Sequence, residues 1–161
     1  MNTTTAMPDA KGVRDMLADM LGRDVEVAPG VPALAADLVR AMVAVYSDDH
    51  YHLAAVLGMD LQLSAFSAAA IGLVPVGAAE DCISDRELSP NLRENGFEVC
   101  NVIGGLLNRD GFPHVRMDKV VYPGETPPND AASKLLALGN RLDLTVKVQG
   151  YGGGRFWLSA S

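Results

Sequence analysis

The stretch DLVRAMVAVYSDDHYHLAAVLG, residues 37–58, restricts the possible architectures of this chain more than any other. Residues 37–46 are β-rich, SDDH is a turn cluster, and YHLAAVLG returns as a second apolar run, which together read as an antiparallel hairpin. The tail LDLTVKVQGYGGGRFWLSA repeats the pattern as two alternating strands around a glycine turn. Two hairpins far apart in sequence have to be reconciled with the helical periodicity between them. Lys11–Leu21 carries Val13, Met16, Leu17, Met20 and Leu21 at amphipathic spacing, and Gly22 can stop that helix. DVEVAP is a short strand, residues 61–73 are a helix rich in small residues, and residues 80–89 read as a polar loop. Ser89 and Pro90 supply an N-cap and first position for a helix running to about Leu107. A strand over Val115–Tyr122, an irregular PGETPPND segment and a short helix over residues 130–138 complete the pass. The fold class expected is α+β, a mostly antiparallel sheet with helices packed against it.

At 161 residues the chain is the size of one domain, with residues 1–9 expected to be flexible. A formal net charge of −7 and scattered basic residues exclude a general nucleic-acid-binding surface, since phosphate contacts need clustered Lys and Arg. The longest uncharged run, Leu61–Ala79, is broken by Gly72, Pro75 and Gly77, so no membrane span is expected. The opening MNTTTAMPDA lacks a basic segment and an apolar core, and a cytoplasmic location is expected. Cys82 and Cys100 form no CxxC; Cys100 falls at an apolar helical position and reads as a small buried hydrophobe.

The segment ENGFEVCNVIGGLLN, residues 94–108, carries the functional signal. On a helical wheel Leu92, Val99, Ile103, Leu106 and Leu107 share one side, with Cys100 at its border. Glu94, Glu98, Asn101 and Gly105 share a stripe roughly 60° wide on the other side, which Asn108 extends. Glu94 and Glu98 are like charges four apart with no basic residue four positions on to relieve them. A glycine at 105 gives up about 1 kcal/mol of helix propensity relative to alanine and lets another backbone approach.

Glu98-Val99-Cys100-Asn101 resembles the motif of the CheC/CheX/FliY chemotaxis phosphatases. In that motif an Asp or Ser precedes the Glu by four, the Asn follows the Glu by three, and a Pro lies about 22 residues on. Here Glu94 stands at the Asp/Ser position, and 21 residues separate Asn101 from Pro123. The hairpin before a small-residue helix and the β-rich ending match the family's layout. Residues 61–73 hold no acidic residue or Asn, so only one motif is visible, which is closer to CheX than to two-site CheC.

The resemblance implies a CheC/CheX-like fold and hydrolysis of the aspartyl phosphate of a response-regulator receiver domain of the CheY type. Asn101 would orient the water and Glu98 would pair with the receiver's active-site Lys. Glu94 would assist docking, and Gly105 would let the receiver surface come close. No cofactor of its own is implied, because the receiver brings the Mg ion; a homodimer is implied as well. A non-catalytic module of the same fold that binds a receiver or motor-switch component is the alternative. A small-molecule-binding domain is a third.

Other motifs carry less. His50 and His52, even with His114, lack the spacing of a zinc site. GYGGGRF runs into a strand rather than a helix and reads as a hairpin turn, not a phosphate loop. Ser64 and Ser67 have no His nearby in sequence to activate them.

Overall fold

The computed structural model describes residues 4–161. Its strands are β1 (Val25–Pro29), β2 (Met42–Asp48), β3 (Leu53–Met59), β4 (Val115–Val121), β5 (Arg141–Val148) and β6 (Gly152–Ala160). They form one antiparallel sheet in the order β1-β5-β6-β3-β2-β4. The two hairpins read from the sequence, β2/β3 and β5/β6, meet through β3 and β6, from Ala55 opposite Ala160 to Met59 opposite Phe156. The helices are α1 (Ala10–Leu21), α2 (Ala35–Leu38), α3 (Leu61–Ile71), α4 (Val76–Asp85), α5 (Pro90–Ile103) and α6 (Asn129–Leu136). This is the α+β architecture expected from the hairpin and helix periodicities.

Strand alternation divides the core into two layers. Met42, Ala44 and Tyr46 of β2 face a large cluster with Leu17 of α1, Leu63 of α3, and Leu92, Val99 and Ile103 of α5. Val43 and Val45 face the other way, toward Trp157 and the α6 residues Ala131 and Leu135. β2 is therefore covered on both faces and reads as a nearly continuous apolar run. The SDDH turn is held by Asp48, whose Oδ1 accepts the backbone N–H of His50 at 2.8 Å and of His52 at 2.9 Å. Gly22 closes α1 at φ +67°, a left-handed conformation that glycine adopts without a Cβ penalty.

Two expectations are corrected. Residues 80–89 are not a loop: α4 occupies most of them. Pro75 stands at the N-cap, where a proline does not break the helix, and Ala79 and Cys82 bury one narrow face while Glu80, Asp81 and Asp85 stay exposed. The strand expected over residues 37–46 begins only at Met42, because residues 35–38 form the short α2, with Asp37 accepting the backbone N–H of Leu34 at 2.7 Å. Within residues 1–9, the stretch expected to be flexible, Thr5 and Ala6 pack against the fold. Residues 1–3 lie outside the described residues, but Thr5 donates its N–H to the Ser161 carbonyl at 2.7 Å, and Ala6 is fully buried.

α3 is the helix most enclosed by the fold, and its small side chains allow this. The buried hydroxyls of Ser64 and Ser67 donate to the carbonyls of Asp60 and Leu63, each at 2.7 Å, within the helix itself. Asp60 caps α3 by accepting the Leu63 N–H at 2.9 Å, and burial raises its carboxyl above the ordinary carboxylate range. The folded protein thus holds the Asp60 proton more tightly than the unfolded chain does. This contribution to stability is fully present below the unfolded pKa and is lost as pH rises through the raised folded value. Asn at 60 keeps a capping side chain without a titrating group. Urea denaturation at about pH 3 and about pH 7 should therefore show wild type losing stability relative to Asp60→Asn as the pH rises.

Candidate functional site

α5 is fixed in rotation by its buried face. Ser89 Oγ accepts the Leu92 N–H at 3.3 Å, and Pro90 occupies the first turn, as its missing N–H permits. Leu92, Val99, Cys100 and Ile103 are all buried. Inside the core the Tyr46 hydroxyl donates to the Cys100 carbonyl at 2.6 Å, one residue before Asn101. Complete burial pushes the Cys100 thiol up to about 12, which removes it from thiolate chemistry at neutral pH. Glycines let the helix lie close to β2: a Cβ on Gly96 would meet Met42, and one on Gly104 would lie 2.9 Å from the Tyr46 ring. At Gly104–Leu107 the helix tightens into a 3-10 turn.

With that face committed, Glu94, Glu98, Asn101 and Gly105 are all exposed. The structure thus brings all four sequence-predicted residues to one solvent-facing stripe. Glu98 and Asn101 are three apart, so their Cβ atoms lie about 5–6 Å from each other on the helix surface. Neither side chain makes a hydrogen bond or ion pair among the described residues. Arg93, the one basic residue of α5, is turned elsewhere. Its Nε donates to the Leu88 carbonyl at 3.3 Å, its Nη2 lies 3.7 Å from Glu87, and its guanidinium stacks 5.1 Å from the Tyr122 ring. The stripe therefore presents an uncompensated carboxylate beside an amide with free donor and acceptor.

Asn108, which extends the stripe on the wheel, does other work. Its amide donates to the Val115 carbonyl at 2.9 Å and accepts the Val115 N–H at 2.8 Å, clamping the approach to β4. Pro123 is buried in a turn that reaches α5 through the Tyr122–Arg93 stack. Phe97 is the residue that the wheel reading passes over. It precedes Glu98, lies one turn before Asn101, and is 45% exposed. Its i, i+4 relation to Asn101 is the signal that could have flagged it.

The two glycines after Ile103 differ in what they do for the fold. Gly104 is needed by Tyr46, whereas a Cβ on Gly105 would meet only the Met16 methyl, at an ordinary 3.7 Å. Gly104→Ala should cost about 1–3 kcal/mol by overpacking, and Gly105→Ala should be neutral or stabilising by up to about 1 kcal/mol. Urea denaturation midpoints read both. The protein's own packing does not require a glycine at 105.

Among the described residues no three His, Cys, Asp or Glu side chains converge as metal ligands. His114 instead lies 3.3 Å from Asp49. A cleft of about 850 Å³ between α2, α3, α4 and β6 is open and charged, with Arg40, Arg86, Arg155, Asp37 and Asp60 in its walls, unlike an enclosed apolar ligand pocket. No helix among the described residues is long and apolar enough to cross a membrane.

One antiparallel six-stranded sheet with helices on both faces is the CheC/CheX/FliY-type fold. Solved structures of that type superpose over nearly the whole chain. The FliM–SpeE complex from H. pylori matches with a TM-score of 0.64 and 10% identity, covering 94% of this chain and 80% of the other. FliY from Thermotoga maritima matches with a TM-score of 0.55 and 14% identity, covering 92% and 82%. The CheX–CheY–BeF3–Mg2+ complex from Borrelia burgdorferi matches with a TM-score of 0.51 and 15% identity, covering 91% of each chain. No family model and no curated protein matches the sequence, so the likeness is one of fold.

Proposed function

We propose that this protein hydrolyses the aspartyl phosphate of a CheY-type response-regulator receiver domain, in chemotaxis or two-component signalling. The observation that carries the reading is the pairing of Glu98 and Asn101, exposed together and unbonded among the described residues on a helix whose opposite face is buried in the core. An acyl phosphate needs no nucleophile from the phosphatase, because water can attack phosphorus in line as the P–O bond to the receiver's carboxylate breaks. The carboxylate leaves with the bonding electrons, and the proton of the attacking water passes to the departing phosphate or to solvent. The receiver's Mg ion and Lys carry the developing charge, so the task left to this chain is positioning.

Asn101 suits that task, since its amide both donates to and accepts from a water without competing as a strong nucleophile. Glu98 pairs with the receiver's Lys, Glu94 supports docking at the rim, and Gly105 admits the partner's backbone. No cofactor belongs to this chain in the mechanism. A homodimer joined at a free sheet edge, at β1 or β4, is part of the same proposal.

The test is the decay of phosphorylated receiver with and without this protein. Acceleration that depends on Asn101 supports the reading. The second reading, a docking module without catalysis, draws on the FliM chains among the structural neighbours, one of them from a FliG–FliM complex from H. pylori. Tight receiver binding with unchanged phosphate lifetime would select it.

A further inference from the structure

We infer that Phe97 is the apolar anchor by which this protein holds its phosphorylated partner, its ring entering an apolar recess beside the receiver's phosphorylated carboxylate. The inference rests on the proposed function and adds to it a residue that sets affinity.

The large apolar residues on the buried face of α5, Leu92, Val99 and Ile103, are all in the core, and only Phe97 stands 45% exposed. An exposed phenylalanine at an arbitrary surface position would need no explanation. This one directly precedes Glu98 and sits one helical turn from both Glu94 and Asn101. On the opposite border of the stripe, Val102 and Leu106 line a groove with Met16 and Met20 of α1, all four partly exposed. The carboxylate–amide pair is thus flanked by apolar surface on both sides. Buried aromatic anchors around a small polar centre are what concentrate binding energy in protein interfaces.

The charge of the surface selects the kind of partner. Glu94 and Glu98 lie on the stripe, and Asp19 lies on the wall of the adjoining groove; Asp15, also on that wall, is paired with Lys11 at 2.6 Å and Arg14 at 3.1 Å. A partner that seats Phe97 must therefore present cations next to an apolar recess. A receiver's Mg ion and Lys would supply the cations, and the recess is what the inference requires of it. A second copy of this chain, docked through the same stripe, would set acidic residues against acidic residues.

The experiment uses the full chain and a panel of the host's receiver domains, each loaded with beryllium fluoride and Mg2+ as a phosphoryl mimic. Covering the exposed half of a phenylalanine ring corresponds to roughly a ten- to thirtyfold change in affinity. Titration calorimetry should show that loss for Phe97→Ala on the receiver that wild type binds, with Phe97→Leu recovering most of it. In phosphate-release kinetics the loss should fall on KM rather than kcat, which a merely structural role would not reproduce. An unchanged Kd for Phe97→Ala, or the absence of binding to any receiver, overturns the inference. So does a change in self-association by light scattering, because the ring would then be covered by a second copy. Phe97-dependent binding without accelerated hydrolysis keeps the anchor and rejects the phosphatase. Asn101-dependent hydrolysis with Phe97→Ala binding normally does the reverse.

Discussion

Replacing Asn101 by alanine is expected to slow receiver dephosphorylation by about 100-fold while leaving affinity for the receiver within about threefold. Such a split follows from where the amide acts. In the proposed mechanism the receiver would be held in the ground state by surface contacts around α5, whereas the amide would contribute when water must be aligned with the breaking P–O bond. Removing an oriented donor at a reacting centre commonly costs about 10²–10³ in rate. Asn101 is exposed and has no hydrogen-bond partner among the described residues, so the variant should keep wild-type stability to within about 0.5 kcal/mol. Glu98→Gln should behave differently. It keeps the side-chain shape but loses the charge proposed to meet the receiver's Lys, so its defect should appear in KM as well as kcat and should shrink at high salt. Single-turnover decay of phosphorylated receiver at saturating concentration separates the two effects. An Asn101→Ala protein that dephosphorylates as fast as wild type sinks the assignment.

Asp143→Ala is expected to lower folding stability by about 3–5 kcal/mol, far more than any substitution on the exposed stripe should cost. Arg141 and Asp143 lie two apart on β5 and so project from the same face of the strand. Their side chains are only 9% and 10% exposed. The guanidinium grips the carboxylate in a two-pronged pair, Nε to Oδ2 and Nη2 to Oδ1, both at 2.8 Å. Its remaining Nη1 donates to the carbonyls of Leu135 at 2.9 Å and Ala137 at 2.6 Å, which the end of α6 leaves without helical partners. Loss of the carboxylate strands a buried cation, and that uncompensated charge dominates the cost. Arg141→Met combined with Asp143→Leu should therefore destabilise less than Asp143→Ala alone, since neither charge is then buried unpaired. Urea denaturation of the two variants tests the order. A loss below about 1 kcal/mol for Asp143→Ala would place this pair with solvent-screened surface pairs.

Much of the fold was legible because its signals are local. The two hairpins announce themselves by period-two runs around SDDH and around the glycines at 150–154, and both are present, the first with its leading strand starting at Met42 rather than at residue 37. Ser89-Pro90 marks the start of α5 because capping is a matter of a few adjacent residues. Legibility failed where local signals conflict. Pro75 and Gly77 look like breakers, and the charges from Glu80 to Glu87 look like a loop, yet a proline before the first turn is harmless and α4 needs only Ala79 and Cys82 on its buried side. Asp37-Leu38 looks like the start of a strand, but Asp37 caps its own short turn and pairs with Arg155 at 2.6 Å, a residue 118 positions away. No window of sequence contains that partner.

The sequence by itself determined that α5 has one apolar face and one narrow face bearing Glu94, Glu98, Asn101 and Gly105, because a period of 3.6 residues sorts side chains onto faces before any tertiary contact forms. It also determined an antiparallel core, since short connections between alternating runs allow little else. Only the tertiary structure decided that the polar face stays open to solvent, that Arg93 is drawn off to Tyr122 and leaves Glu98 uncompensated, and that Asn108 is consumed in holding β4. It alone separated Gly104, where an added Cβ would press on Tyr46, from Gly105, where one would meet only the Met16 methyl at an ordinary distance. Helical periodicity states which side chains point the same way. What lies opposite them is set by contacts between segments distant in the chain, and those contacts exist only once the sheet has brought the segments together.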